Sequence, residues 1–411
     1  MLMEFTFENF KCYRDETTLN MTAASLSEHS DSLIAVNGTD KMLPVAAIYG
    51  PNGGGKSSVL QAFECLAHTV VYPFILMRCK GGELRPVDAR PYLYDAGSRE
   101  GPTSFKILFQ VGDYSYRYIL AVSQGNVSEE YLHRRKSGRG ATAMLFEREG
   151  GSIKLGASLN RRGVSTNIDE MMPYLSYLAI NHDFEAIEEA FGWFIQSTQL
   201  DYSHASQEDF FIEVSDSDER QKIIELFNGM GIDVADFRFE HSSDDKLVGV
   251  YLKHRVDESR EVELSEESNG TKKLFGLIPR ILRALDKGTV LIVDELDARL
   301  HPKLLRYIIR LFTSHVTNPR GAQLIFTLHD VLTLNSAVFR RDEIWFAAKS
   351  EEGSSRVYSL ADIADVDGQR VRTHNAYDKQ YLEGRYGADP YLSNMLEWDG
   401  GHDPDRCVSW A

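Results

Sequence analysis

Apolar positions along this chain switch repeatedly between the two-residue period of strands and the 3.6-residue period of helices. Near the start, Phe5, Phe7 and Phe10 bracket a turn, and Leu19 to Met21 is placed to pair back on them. Residues 22 to 42 are polar and serine-rich and read as a surface connection. The run Leu43 to Tyr49 is unbroken and apolar, the pattern of a strand buried on both faces. From Ser58 to Val71, Val59, Leu60, Phe63, Leu66, Ala67 and Val70 share one helical face. The segments Ser104–Val111, Tyr114–Val122, Val127–His133 and Ala143–Arg148 are rich in β-branched and aromatic residues. Turns at Gly112-Asp113 and Gln124-Gly125-Asn126 separate them, so an antiparallel sheet is predicted.

Residues 168 to 246 read as mainly helical without heptads: Met171, Leu175, Leu178 and Ala179, then Ile187, Ala190, Phe191 and Phe194, have amphipathic spacing. A strand near Leu247–His254 follows. Helices 271–286 and 303–315 then alternate with strands 289–294, 322–328 and 343–348, which predicts a parallel sheet flanked by helices. The tail after about 390 has few apolar residues. No internal repeat or low-complexity tract is present.

The 411 residues exceed what one compact core usually holds, so two lobes or a core with an insertion are expected. Apolar residues are 43% and charged residues 26%, ordinary for a globular chain. No apolar run approaches the roughly 20 residues of a membrane helix. The opening Met-Leu-Met-Glu-Phe has no basic start and no apolar signal core, so export is not expected. Cys12, Cys65, Cys79 and Cys407 lack C-x-x-C spacing, which argues against a disulfide frame or a zinc cluster and fits a reducing, cytoplasmic setting. The net charge of −16 repels nucleic acid, so any such contact needs a local basic patch. One candidate is the hairpin tip His133-Arg134-Arg135-Lys136-Ser137-Gly138-Arg139, which is either a solvated loop or a phosphate or nucleic-acid contact.

The strongest chemical signal is Gly50-Pro51-Asn52-Gly53-Gly54-Gly55-Lys56-Ser57, which fits G-x-x-x-x-G-K-[ST] at every fixed position. It lies between a buried strand and a helix N-terminus, where backbone N–H groups and the helix dipole cradle an anion. Asn52 to Ser58 are therefore the candidate phosphate-binding residues. Lys56 is suited to the β/γ-phosphates and Ser57 to Mg²⁺. Thr289 to Glu295 is a second buried strand ending in two acids. Asp294 is a candidate Mg²⁺ ligand and Glu295 a candidate general base.

Other segments carry a family resemblance. Leu296-Asp297-Ala298-Arg299-Leu300-His301-Pro302 resembles the D-loop of ATP-binding-cassette ATPases of the SMC, RecF and OLD type. Leu264 to Lys273, with Ser268-Asn269-Gly270, resembles their signature, and Gln323 to Asp330 resembles their H-loop, with His329 as its histidine. Phe7-Glu8-Asn9-Phe10-Lys11-Cys12-Tyr13 and Lys379 to Gly387 also resemble segments of this group, whose stand-alone bacterial members include ATPase subunits of anti-phage systems of the PARIS and Septu type. The resemblance covers roughly 1–150 and 250–390.

It implies an α/β fold: an ABC-ATPase head, with a P-loop mixed sheet and an antiparallel β lobe, plus a mainly helical insertion. The implied division is 1–150 for the first lobe, 151–246 for the insertion, 247–390 for the second lobe and 391–411 for a polar tail. It implies an ATPase using ATP and Mg²⁺, with Lys56, Ser57, Asp294, Glu295 and His329 from one subunit. Ser268, Asn269 and Gly270 from another would meet the γ-phosphate, giving a homodimer or higher homo-oligomer closed around ATP. A nuclease or toxin effector is the implied partner, with nucleic acid or a phage protein as a possible trigger and no membrane. A RecF-like DNA-binding repair ATPase is the alternative; a transporter subunit fits less well, because of the D-loop and the large insertion. The Q-loop position is open between Gln110 and Asn181. Neither a long coiled coil nor a Toprim-like nuclease block is present, and His402-Asp403-Pro404-Asp405 reads as a solvated tail.

Overall fold

The computed structural model describes residues 1–36, 40–78, 82–138, 140–160, 162–201, 216–243, 247–350, 352–364, 370–373 and 375–388. The tail, Arg139, Cys79, Cys407 and the 402–405 segment lie outside the described residues.

The first lobe is a seven-stranded antiparallel sheet. Strands β1 (Leu2–Glu8) and β2 (Thr17–Asn20) pair as expected, with Phe5 opposite Leu19. After the short ribbon β3 (Ile34–Ala35) and β4 (Lys41–Met42) comes β5 (Val45–Tyr49), every residue of which is buried. Helix α1 (Lys56–Arg78) runs seven residues beyond Val71, carrying Pro73 inside it, and α2 (Ala96–Glu100) is a single short turn. Strands β6 (Thr103–Val111), β7 (Tyr114–Ser123), β8 (Asn126–Lys136), β9 (Ala143–Glu149) and β10 (Ser152–Leu155) complete the sheet, in the order β10-β9-β8-β7-β6-β1-β2.

The basic segment departs from expectation. His133 to Lys136 continue β8 rather than forming a tip, with Arg134 opposite Tyr116. The Arg134 guanidinium lies 4.2 Å from the Tyr114 ring centroid and 3.9 Å from Glu189. Pairing across the sheet has turned a cation from the loop into a packed one.

Helices α3 (Tyr174–Asn181) and α4 (Glu185–Gln196) pack against α1 and join the core of this lobe, where Trp193 stacks on Phe109 with centroids 4.4 Å apart. Buried Glu130 of β8 anchors α3: its carboxylate accepts from the Tyr174 and Leu175 backbone N–H groups at 2.5 and 2.9 Å. Among the described residues, α1 alone is long and apolar enough to cross a membrane, which the sequence reading did not anticipate; its inner face, including Leu60, Phe63, Leu66 and Val70, is buried in the core.

Strand β11 (Thr198–Asp201) opens the second sheet, and α5 (Ser217–Gly229) leads to β12 (Asp236–His241), β13 (Leu247–His254) and β14 (Asp257–Glu263). These last three form a sheet of their own, so β13 does not join the parallel sheet. Then α6 (Asn269–Lys287), β15 (Val290–Asp294), α7 (Pro302–Thr313), β16 (Gln323–Thr327), β17 (Ile344–Lys349), β18 (Ser355–Ser359) and α8 (Tyr377–Leu382) follow. The main sheet runs β11-β15-β16-β5-β17-β18, parallel except for the antiparallel edge strand β18. The protein is thus a mixed α/β fold with a parallel sheet and an antiparallel lobe. Its helices end on local signals: Ser268 caps α6 at the N-terminus, Gly288 ends it at φ +67°, and Pro302 opens α7.

Candidate functional site

Strands β5, β15 and β16 bring their C-terminal ends to one edge of the parallel sheet, where ligands bind in open α/β sheets. In the sheet, β16 lies between β15, which ends in the two acids, and β5, which leads into the phosphate loop. That intervening strand supplies Thr327, which ties down the end of β15. Its hydroxyl donates to Asp294 Oδ1 and accepts from the Glu295 N–H at 2.7 Å.

The loop after β5 is built by close approach. A Cβ on Gly50, whose φ is +148°, would lie 2.1 Å from the Ala347 carbonyl oxygen of β17, and one on Gly54 would lie 2.6 Å from the same atom. Gly55, at φ +105°, meets the Tyr13 hydroxyl instead, which donates to its carbonyl at 3.1 Å. Gly53, at φ +75°, has nothing within 4 Å and faces open space with exposed Asn52. Ser57 and Ser58 are half-buried at the first turn of α1. Gly50→Ala should cost at least about 2 kcal/mol through backbone strain and overlap; the urea midpoint checks this, and an unchanged midpoint contradicts the close approach.

Lys56 is 6% exposed, and its Nζ donates to the Gly50 and Pro51 carbonyls at 2.8 and 3.2 Å. Burial lowers its pKa, and Asp294, Asp297 and Glu295 pull the other way, so the amine shares one electrostatic neighbourhood with the acids of β15 and the turn after it. Asp294 is 4% exposed and Glu295 half-buried. Glu295 has φ +50° and Arg299 φ +64°, conformations uncommon for side-chain-bearing residues. The strained turn is held from outside. Buried Lys273 on α6 donates to the Glu295 and Ala298 carbonyls at 2.6 and 2.9 Å. Burial pushes its ammonium down to about 8, against the raising pull of Asp297 and Glu295.

Asp297 Oδ2 accepts the backbone N–H groups of His329 and Asp330, both at 2.7 Å, while its buried Oδ1 has no hydrogen-bond partner. The D-loop-like turn and the segment after β16 are therefore one hydrogen-bonded unit, and the His329 side chain is left exposed. At the start of α6, Ser268 Oγ accepts from the Thr271 N–H at 3.1 Å, leaving Ser268 and Asn269 exposed. Gly270 backs onto the Arg299 carbonyl: a Cβ there would lie 3.1 Å away. Glu267, just before the cap, is clasped by His254 of β13 at 2.7 Å. The late Lys379–Gly387 segment packs Tyr381 on Phe346 of β17, centroids 5.5 Å apart, roofing the sheet beside β5.

Thr327, Lys273 and the Asp297 carboxylate carry no role in the sequence reading. One signal was available for Lys273: it falls on the apolar stripe of α6, four residues before buried Leu277. Residues 45–335 match the protein-family description "AAA domain, putative AbiEii toxin, Type IV TA system". No curated protein sequence matches the chain. Solved structures resemble it at low identity. The SMC head domain from Thermotoga maritima is 14% identical over 87% of this chain and 98% of that one, with a TM-score of 0.40. An SMC head bound to the C-winged helix domain of ScpA is 13% identical over 87% and 97%, with a TM-score of 0.40. The SMC head of Pyrococcus yayanosii with a coiled coil and joint is 12% identical over 94% and 99%, with a TM-score of 0.40. Because the family match spans well over half of the chain, the protein belongs to the family of AAA domains described as putative AbiEii toxin, Type IV TA system.

Proposed function

We propose that the chain is an ATPase that uses ATP binding and hydrolysis to control an effector protein of a bacterial anti-phage module. The observation that carries this reading is the convergence of Lys56, Asp294 and Glu295 at one sheet edge, in a chain of the AAA family. The family's description, naming a toxin–antitoxin setting, supports an effector partner. The packed state of Arg134 removes one cation from the patch a DNA-binding reading needs.

The residues fit a nucleotide phosphate. The loop offers its open side at Gly53 and a buried amine at Lys56. They fit Mg²⁺ only with phosphate oxygens as further ligands, because no cluster of three or more His, Cys, Asp or Glu exists among the described residues. Ser57 and Asp294 would be the chain's own ligands, and bound Mg²⁺ would neutralise charge on the phosphates. Lys56 and the loop N–H groups of Asn52 to Ser58 bind and orient; Glu295 accepts the proton of the attacking water. The Asp297 unit holds the backbone of His329, so that its ring can contact phosphate. Ser268, Asn269 and Gly270 present an exposed helix N-terminus suited to a γ-phosphate on a second copy of the chain, which gives the homodimer or higher homo-oligomer. The lobes 1–150 and 247–390 would handle nucleotide in the cytoplasm, and effector contacts would fall on the exposed faces of 151–246, whose α3 and α4 also pack into the first lobe.

Lys273→Met should lower turnover about tenfold or more, because the turn bearing Glu295 loses its anchor. The folded pKa of about 8 lies below the ordinary lysine value. Between these values the unfolded chain holds the extra proton, so Lys273 adds stability as pH rises from about 8 to about 10. Urea midpoints should rise more across that window for wild type than for Lys273→Met; equal pH slopes contradict the buried amine.

The functional reading is tested by purifying Glu295→Gln from its native host with ATP and Mg²⁺. A stoichiometric nuclease- or toxin-like partner with little nucleic acid is expected. Salt-labile DNA without a protein partner moves the assignment to a RecF-like repair ATPase.

A further inference from the structure

On the outer face of α7, away from the phosphate loop, lies a cavity of about 570 Å³, within the usual range of small-molecule sites. Its charged lining is lopsided. Arg306 and Arg310 stand one turn apart on α7, His315 follows the end of that helix, and His29 and Asp31 come from the connection after β2. Ile309 and Val338 supply apolar wall. Glu343 also lines the cavity, though it is only 1% exposed.

Glu343 is the informative member. Its Oε2 accepts from the Arg340 N–H at 2.8 Å, and its Oε1 is buried without a hydrogen-bond partner. The neighbouring charges are already matched: Arg340 pairs with Asp342 at 2.8 Å, and Arg341 with Glu28 at 2.9 Å. A buried carboxylate oxygen left unmatched costs stability, so the uncharged form of Glu343 is favoured in the cavity wall. Burial, foremost, raises the Glu343 pKa to about 8. At neutral pH the carboxyl therefore holds a proton, and with Oε2 occupied as an acceptor the proton belongs on Oε1. The cavity then presents two guanidinium groups, of which Arg306 also donates to the Leu332 carbonyl at 2.6 Å, beside a wall that carries no negative charge at Glu343.

We propose that this cavity binds a small phosphomonoester dianion, with Arg306 and Arg310 on its terminal oxygens and an uncharged Glu343 in the wall beside them. The terminal oxygens of such a dianion are acceptors only, which suits a set of donors, and guanidinium forks match their geometry. The inorganic phosphate dianion offers the same three terminal oxygens but no alcohol portion to fill the rest of the cavity. The volume beyond the oxyanion leaves room for the alcohol portion, where Asp31 can accept from a hydroxyl.

The test is calorimetric titration of the full chain with glycerol phosphate, inorganic phosphate and sulfate, the last because its charge is constant across the pH range. Saturable binding that Arg310→Glu weakens at least tenfold and Lys56→Ala leaves unchanged is expected, with glycerol phosphate ahead of inorganic phosphate. Loss of binding in Lys56→Ala alone places the anion at the phosphate loop and overturns the proposal, as does binding indifferent to Arg310→Glu or an absence of saturable binding. Sulfate affinity should fall as pH rises through about 8, where Glu343 becomes a carboxylate facing the dianion. The facing groups are Arg306, Arg310, His315, His29 and Asp31, with Arg340, Asp342 and Glu28 behind. In Glu343→Gln that decline should vanish; a persisting decline overturns the role of Glu343. Arg310 lies on the surface of α7, so Arg310→Glu decides the question even where Glu343→Gln folds poorly. None of these outcomes depends on ATP hydrolysis, so the proposal stands or fails separately from the ATPase reading.

Discussion

Lys56→Ala is expected to lose nucleotide binding by about 100-fold or more, and hydrolysis with it. The side chain is buried at the base of the loop, and its Nζ lies 2.8 Å from the Gly50 carbonyl. Burial disfavours its charge while three acids nearby favour it, so the amine is held ready for an anionic partner. Charge-assisted hydrogen bonds in a partly dry site contribute about 1.5–3 kcal/mol each, and losing two removes most of the affinity for a polyphosphate. The fold should survive. The carbonyls that Lys56 serves lie in a loop, and alanine leaves no unpaired charge. Titration with a fluorescent ATP analogue reads the binding, and ATP-induced thermal stabilisation provides a second readout. Wild-type stabilisation by ATP should vanish in the variant. Undiminished turnover would remove Lys56 from the site.

Glu295→Gln should separate binding from chemistry. The Glu295 backbone is pinned from two sides: its N–H reaches Thr327 Oγ1 at 2.7 Å, and its carbonyl accepts from Lys273 at 2.6 Å. Glutamine therefore takes the same place without the basic oxygen. Loss of a general base typically costs about 10²–10⁴ in rate. ATP affinity should stay within a few-fold of wild type, because Lys56 and the loop are untouched. An ATP-dependent dimer should persist in Glu295→Gln and decay in wild type as ATP is consumed. Light scattering after addition of ATP and Mg²⁺ distinguishes the two. A variant that hydrolyses ATP normally, or remains an ATP-independent monomer, sinks the general-base assignment.

Most elements were legible where their signals are local. The β5–loop–α1 unit, the four strands between 103 and 148, and α6, β15, α7, β16 and β17 follow from periodicity, and their bounds shift by a few residues except at the end of α1, which runs seven residues further. What escaped did so for identifiable reasons. Strand β14 is polar and mostly exposed, so it has no alternation to reveal it. The end of β8 carries four basic or imidazole residues in a row, a pattern that suggests a loop. Only pairing with β7, where Arg134 meets an aromatic ring and a carboxylate, makes it a strand. Pro73 gives no stop to α1, because aromatic packing such as Phe74 on Phe191, centroids 5.5 Å apart, holds the helix together.

By itself the sequence determined what short-range sterics and chemistry can encode. Glycines at Gly50, Gly53 and Gly55 adopt positive φ at little cost, Lys56 follows them, apolar runs end in acids, and Ser268 and Pro302 start helices. Only the tertiary structure decided which of these parts meet. Strand order placed β16 between β5 and β15, so Thr327 became the link between Asp294 and Glu295. Packing of α6 brought Lys273 under a turn more than twenty residues downstream, and Asp297 reached two backbone donors across the sheet edge. Such contacts depend on burial and on the register of distant strands, and those are set by the whole core at once rather than by any window of the chain.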